Sequence, residues 1–514
     1  MSDSENILFL LFPDTGSHFQ SAKPIFNVLL EAGHNVTVVL SSKMKFNVER
    51  VNIINALLNN GSNVDSELFW QITTSAALLP LIYEIADVQT NILIDKHPVK
   101  LRQLFNEWWD LIIIDDLFTT YGYGFALMRR QLLSKHGRAA PFILLSTAGG
   151  QLNFASLVQA VGRNWASAAP MFLWLPADET DFFNARRFTH RAISLYENTL
   201  EFITMNIYSR HFQINGLRRL GAVKDFSWEA LYAQSSWIFM ERLDCCISCV
   251  HIINLEGAEE VNIGVRCKQS TQNELPSELT TFINDPMSIG TIYVALGSYA
   301  NLDVAPRQVL DAFIGAFNRL SNYRIILAAS TGANSKTRVR LNRKFGAHVR
   351  LLSWAPQTQI LAHPSTRLFI THAGLKSLKE GLCSTVPLVL MPMFAEQAYN
   401  AHTAAIRGVG PIINKYLLNS DLMHNAILKV LDDYIHRKQR AERLRHIFVD
   451  RPLSAADAVR FHVERIFRRQ RRFGGTHGER VTFTRGAQQL HSLTMMYADV
   501  LVSLFTLILM LNWK

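Results

Sequence analysis

The sequence predicts an α/β protein of two Rossmann-like domains that face a cleft, followed by a C-terminal membrane anchor helix. Three observations predict it. At 514 residues the chain exceeds the roughly 250–300 residues at which a single core stops growing. Short apolar strand-like runs alternate with helix-period runs in two series, one starting at Ile7 and one near residue 290. The last apolar run, Leu493–Trp513, has the ~20 residues that span a hydrocarbon core, and its terminal position without a polar face favours an anchor over a buried helix.

Taken in order, Ile7–Phe12 reads as a core strand and Pro13–His18 as a loop. Ile25, Val28, Leu29 and Ala32 fall at i, i+3, i+4 and i+7 of a helix that Gly33 stops before a strand at Val36–Leu40. Leu111–Ile114 is another buried strand and ends in the pair Asp115-Asp116. The second series opens with a strand at Thr291–Leu296 that ends in Gly297-Ser298, then a helix carrying Val309, Leu310, Phe313, Phe317 and Leu320. Strands follow at Arg324–Ala328, Val349–Leu352, Leu368–Thr371 and Leu388–Met391. The expected divisions are a first domain over 1–245, a linker over 246–285, a second domain over 286–435, a basic helical juxtamembrane region over 436–490 and the anchor over 493–513.

The formal charge of +10 is concentrated. Between Arg437 and Arg485 fourteen Lys/Arg stand against five acids, and the rest of the chain is nearly neutral. That distribution argues against a nucleic-acid partner. It points to anionic lipid headgroups beside the anchor, with a solvated helix face as the other reading. At the amino terminus MSDSEN leads straight into a strand, so no secretory signal is visible. Five cysteines are too few and too clustered to predict a disulfide framework, and Cys245, Cys246, Cys249 and Cys267 lack the paired CxxC units of a zinc site.

The chemistry concentrates in residues 354–397. A strand delivers His372 onto a turn at Ala373-Gly374 where a helix starts, and free amides at a helix start bind anions such as a diphosphate. Glu380, eight residues on, returns to nearly the same helix face and can accept from a ribose diol. Trp354 offers a flat face for a base, and Glu396-Gln397 offers acceptors and donors for sugar hydroxyls.

This forty-four-residue array, Trp354 to Gln397 without a gap, resembles the donor-binding signature of the UDP-glycosyltransferase family, which includes UDP-glucuronosyl- and UDP-glucosyltransferases. The resemblance implies a GT-B type fold and a site in which Trp354 stacks on uracil and Gln357 and Glu380 hold the ribose. His372, Gly374 and Ser377 would hold the diphosphate, Glu396 and Gln397 the sugar, and the Gly297-Ser298 loop would supply a second diphosphate contact. Three residues depart from the signature: Ala373 stands where Gly or Cys is usual, Lys376 where an Asn contacts phosphate, and Thr385 where a Gly precedes Val-Pro. A lysine can pair with phosphate as a longer point charge.

Transfer to a hydroxyl needs a base near neutral pH, and His18 lies at the end of the first strand. The resemblance makes His18 that base and leaves His34 as a helix-terminating residue. A carboxylate should orient the imidazole, with Asp115 preferred to Asp116. The expected reaction inverts an α-linked hexosyl group, glucose or glucuronic acid, from a UDP-sugar onto a small lipophilic acceptor. No D-x-D metal motif occurs and no cofactor is expected, the UDP-sugar being a co-substrate. The rival class is a catalytically impaired membrane-anchored UDP-sugar-binding protein. A nicotinamide oxidoreductase is excluded because no G-x-G-x-x-G follows the first strand. The expected location is the endoplasmic reticulum membrane in a single pass, although the basic flank favours a cytosolic side. Self-association into a homo-oligomer is open. Apolar aromatics between 60 and 240, among them Phe69, Trp70, Trp108, Phe172 and Trp174, are expected to line the acceptor pocket.

Overall fold

The computed structural model describes residues 4–11, 16–40, 49–56, 67–71, 75–116, 119–134, 140–147, 173–177, 181–184, 186–221, 226–240, 260–263, 267, 275–297, 300–332, 335–473 and 498–512. Among them two parallel sheets carry the fold. The first has strands β1 (Asn6–Leu10), β2 (Asn35–Leu40), β3 (Val51–Asn55), β4 (Leu111–Asp115), β5 (Phe142–Ser146), β6 (Trp237–Met240) and β7 (Glu260–Asn262). They lie side by side in the order β3-β2-β1-β4-β5-β6-β7. Its central strands are apolar without alternation because both faces are covered. Leu8, Leu10, Ile112 and Ile114 enter one core, and Ile7, Phe9, Leu111 and Ile113 the other.

Helix α1 (Gly16–Glu31) covers the second of these faces with Phe19, Ile25, Phe26 and Leu29, and Phe26 meets Phe9 edge-on at 4.6 Å. It ends in a Schellman turn. His34 N–H donates to the Leu29 carbonyl and Gly33 N–H to that of Leu30, with Gly33 at φ +93°. The opposite face is covered by α2 (Leu79–Lys96), which buries Tyr83 against Trp228 at 4.7 Å, while Asp87 accepts from Gly216 N–H at 2.7 Å. The stretch Ala76–Lys96 is long and apolar enough to cross a membrane. Its contacts make it a core helix.

The second sheet holds β8 (Thr291–Ala295), β9 (Arg324–Ala328), β10 (Val349–Leu352), β11 (Thr366–Thr371) and β12 (Leu388–Leu390) in the order β10-β9-β8-β11-β12. Ile292 and Val294 face one core, Tyr293 and Ala295 the other. Helices α3 (Leu375–Cys383) and α4 (Gln397–Ile406) follow β11 and β12. The first domain reaches this body through Trp70, which is buried in the second domain's core and donates to the Asn301 carbonyl at 3.0 Å. It reaches it again through Trp174, whose carbonyl lies 3.0 Å from His402 Nε2 on α4. These two tryptophans, expected on the acceptor wall, are occupied in joining the domains. Phe172 and the Phe69 side chain lie outside the described residues.

After the second sheet the chain returns. Helix α5 (Ala455–Phe473) packs Val459, Val463, Ile466 and Phe467 into the same core as α1. His34 Nε2 lies 3.1 Å from a Glu464 oxygen, its ring is 5.2 Å from that of Phe467, and Arg471 pairs with Glu5 at 2.6 Å. Gly33 therefore does the helix stopping, and His34 holds the returning helix. Strand β7 lies inside the span expected as linker, and α5 inside the span expected as juxtamembrane. Helix α6 (Ala498–Asn512) exposes Leu501, Val502, Leu504, Phe505, Leu507, Ile508 and Met510.

The cysteine expectation is corrected. Cys267 and Cys383 form a disulfide with Cα atoms 5.2 Å apart, tying the chain before the second domain to the end of α3. The partners are 116 residues apart, so local spacing held no sign of the pairing. Cys245, Cys246 and Cys249 lie outside the described residues.

Thr385 follows α3 in a second Schellman turn, with Thr385 N–H on the Leu382 carbonyl and Val386 N–H on that of Gly381. Here the left-handed residue is a β-branched threonine at φ +57°. Left-handed backbone costs an L-residue about 1–2 kcal/mol, partly offset by the extra chain entropy that glycine loses on folding. Thr385→Gly is therefore expected to raise stability by about 1 kcal/mol in denaturant unfolding. A loss of stability would contradict this reading of the turn.

Candidate active site

Both sheets change winding direction between their first and fourth strands. In the first sheet β2 and β3 lie to one side of β1, and β4 to β7 to the other; β9 and β10 flank β8 in the same way opposite β11 and β12. Crevices open beyond the carboxyl ends at such switch points. Leu10 lies opposite Ile114, and Ala295 opposite Thr371. His18 and Asp115 therefore leave one switch point, and Gly297 and His372 the other.

At the second switch point the His372 ring is wedged between two glycines. A Cβ at Gly297, whose φ is +86°, would lie 2.8 Å from His372 Nε2, and one at Gly374 would lie closer still. Burial pushes the imidazole down to about 4, with the Ala295 carbonyl opposing, so the ring is neutral at pH 7. Gly374 is the N-cap of α3 and offers no capping side chain, which leaves the helix amides for a ligand. Lys376 stands exposed in that first turn. Ser298 lies outside the described residues.

Gln357 joins the next group. Its Nε2 donates to Glu380 at 2.5 Å and to Ser377 Oγ at 3.2 Å, and its Oε1 accepts from the Tyr293 hydroxyl at 3.3 Å. Ser377 and Glu380 share a face of α3 at i, i+3 spacing. Trp354, 78% exposed, presents its ring to solvent instead of entering the core. An exposed indole in the same signature segment as these polar groups is suited to stacking on a base.

Glu396 and Gln397 open α4. Gln397 Oε1 accepts from the N–H groups of Met393 at 2.9 Å and Phe394 at 3.3 Å, leaving Nε2 as its donor to a ligand. Ala395, at φ +51°, turns the chain immediately before Glu396. Two supports had no sequence signal. Asn400 Nδ2 donates to the Ala373 carbonyl at 3.1 Å, pinning the left-handed Ala373 at φ +62°. Buried Lys415, which burial pushes down to about 8, donates to the Met393 carbonyl at 2.6 Å.

At the first switch point His18 Nδ1 is hydrogen-bonded to Asp115 Oδ2, and Asp115 is fully buried. Thr147, just past β5, places Oγ1 3.0 Å from His18 Nδ1 and 3.4 Å from Asp115 Oδ1. This third member was missed by sequence reasoning; its only signal is its place beyond the strand next to β4. Asp116 does not meet His18. Burial, with the adjacent Asp115 and then Glu396 adding, holds its carboxyl well above the usual carboxylate range.

The two switch points face each other. Burial in the cleft pushes the Glu396 carboxyl up to about 7, and His18 from the other domain partly counters the shift. Glu396 and Asp116 also feel one another.

The fold resembles those of known glycosyltransferases. Chains titled as the glycotransferase of kitacinnamycin and as CalG4, the calicheamicin glycosyltransferase, each superpose with a TM-score of 0.56 at 14% identity, covering 90% of this chain and 99% of theirs. The class is thus a two-domain GT-B glycosyltransferase fold. Residues 229–512 match the family model described as UDP-glucoronosyl and UDP-glucosyl transferase, which is more than half of the chain. The chain belongs to that family. UDP-glucuronosyltransferase 1A6 of Mus musculus is 24% identical over 94% of this chain and 86% of its own length. A UDP-glucuronosyltransferase of Pleuronectes platessa is 29% identical over 48% of this chain, which spans about half of that relative's length. UDP-glucuronosyltransferase 1A9 of Homo sapiens is 30% identical over 45% of this chain and 40% of its own.

The shifts predict a pH dependence of stability. Glu396 ionises at about 7 in the fold against an ordinary 4.5, so between those values the native state binds more protons than the unfolded chain, and stability falls as pH rises. His372, at about 4 against 6.5, acts oppositely, adding stability as pH rises through that window. Glu396→Gln should remove only the first effect. Its melting temperature relative to wild type is expected to climb from pH 4.5 to pH 7; a pH-independent difference would contradict the assignment.

Proposed function

We propose that the chain is an inverting UDP-glycosyltransferase that moves a glucosyl or glucuronosyl group from its UDP-sugar to a hydroxyl of a small lipophilic acceptor, without a metal. The observation that carries this reading is the His18–Asp115–Thr147 group set opposite Glu396 across the cleft. In this mechanism His18 Nε2 takes the acceptor proton while Asp115 holds Nδ1–H and balances the growing charge. The acceptor oxygen then attacks the anomeric carbon, and the bond from that carbon to the β-phosphate oxygen breaks with its electrons leaving on UDP. Amides at the start of α3, His372 and Lys376 stabilise the departing charge. Glu396 and Gln397 hold the sugar, Gln357 and Glu380 the ribose, and Trp354 the uracil.

The lipophilic character of the acceptor rests on the apolar, aromatic content of residues 60–240. The small apolar void under the first sheet, lined by Leu10, Val39, Ile54, Ala56, Leu93, Lys100, Tyr121 and Phe125, has room for about one water and belongs to the core. We place the body in an oxidising lumen, that of the endoplasmic reticulum, because the Cys267–Cys383 disulfide persists in such compartments and not in the cytosol. The apolar helix α6 is the anchor in this reading.

Radiolabelled sugar transfer with purified protein tests the proposal. His18→Ala is expected to lose about 10²–10⁴-fold in kcat while UDP binding is unchanged, the usual range for a lost general base. Thr147→Val should lower kcat with little change in donor KM, Thr147→Ser should recover it, and turnover should survive a chelator. Equal null activity in wild type and His18→Ala would favour a UDP-sugar-binding protein without catalysis, and loss of turnover to chelator would overturn the metal-free mechanism.

A further inference from the structure

The outward face of α5 is a charged surface that the site does not use. The helix carries six arginines against Asp457 and Glu464. Its inner face is fixed on the first domain by Val459, Val463, Ile466 and Phe467, and its flanks are tied by Glu464 to His34 and by Arg471 to Glu5. Asp457 is engaged by Ser454 at 2.6 Å. On the opposite side Phe461, Arg465, Arg468 and Arg472 recur at i, i+4, i+7 and i+11, one continuous stripe of helix surface.

That stripe combines charge with an exposed ring. Phe461 is 46% exposed and lies under the Arg468 guanidinium at 5.9 Å, while Arg465 lies over the Trp237 ring at 5.2 Å. Burial, then the like charges of Arg469 and Arg468, lower the pKa of Arg465, the mark of crowded cations that an opposing anion would relieve. Residues 474–497 are all that separate this helix from α6, and at roughly 3.3 Å per residue they span at most roughly 80 Å. The helix end thus stays within reach of whatever surface receives α6.

We propose that the outward stripe of α5 rests on the anionic headgroups of the same bilayer that receives α6, so that the first domain is held against the membrane at a fixed tilt. Arginines meet lipid phosphate and carboxylate groups, and Phe461 enters the interface. The proposal rests on the reading of α6 as a membrane helix. An anionic leaflet fits better than a nucleic acid because an aromatic side chain accompanies the charges and an apolar helix follows them.

The test uses the full chain in lipid nanodiscs of phosphatidylcholine alone or with phosphatidylserine, and the arginine reagent phenylglyoxal read by peptide mass spectrometry. Arg468 and Arg472 are expected to react about fivefold more slowly in the serine-lipid discs, the weight of about one basic residue at an anionic leaflet. The protection should vanish at ~1 M salt. Arg343, exposed on the second domain, should react equally in both. Arg468→Glu with Arg472→Glu, both on exposed positions, should stay embedded and abolish protection of Arg465. Equal reactivity of Arg468 in both discs overturns the proposal, as does protection by an RNA oligonucleotide in neutral discs with none from serine lipid. Failure of the anchor reading is seen separately, as a chain that does not co-float with neutral vesicles. The α5 face is then read on serine-lipid vesicles, where absence of protection overturns it too.

Discussion

A parallel sheet sends its connections to one side or the other, and where that side changes, two neighbouring carboxyl ends part and leave a crevice that no helix fills. This chain does so twice, between β1 and β4 and between β8 and β11. The site depends on that repetition. One crevice gathers an imidazole, a buried carboxylate and a hydroxyl; the other gathers glycine backbone, a helix start and a neutral imidazole. Each alone is a binding crevice of a common kind. In the proposed mechanism they set a proton acceptor against a site for a leaving group, which is what displacement at a saturated carbon requires.

The second crevice is held by backbone more than by side chains. Gly297 and Gly374 admit the His372 ring because neither has a Cβ, and Ala373, Thr385 and Ala395 accept left-handed conformations that their side chains disfavour. Strain of this kind persists only when neighbours over-determine it. Asn400 on the Ala373 carbonyl and Lys415 on the Met393 carbonyl are such neighbours, and both reach the signature segment from beyond it. The two domains are in turn pinned by Trp70 and Trp174, so the aromatic content of the first domain serves assembly as well as any acceptor.

Strands β1, β2 and β4 and the five of the second sheet were legible in the sequence as short apolar runs, whereas β3, β5, β6 and β7 were not read; the signature segment was legible because its residues are near each other in the chain. What sequence could not supply was lateral order. Asp115 and Asp116 differ by one step along a strand, which sends adjacent side chains to opposite sides, and only the position of α1 decides which one meets His18. Thr147 follows a third strand, β5, and nothing in its own neighbourhood links it to residue 18. The same holds for Cys267 with Cys383 and for His34 with Glu464, pairs separated by 116 and 430 residues. Spacing arguments reach across a helix; these contacts reach across the molecule.

In the proposed reaction a base in one crevice and a donor in the other act from opposite sides of the same anomeric carbon. The configuration of the product tests it most directly. Proton NMR of the glycoside formed from an α-linked UDP-sugar should show the large trans-diaxial coupling of a β-anomer. An α-glycoside, with the small coupling of a retained configuration, would contradict single displacement and with it the role assigned to His18.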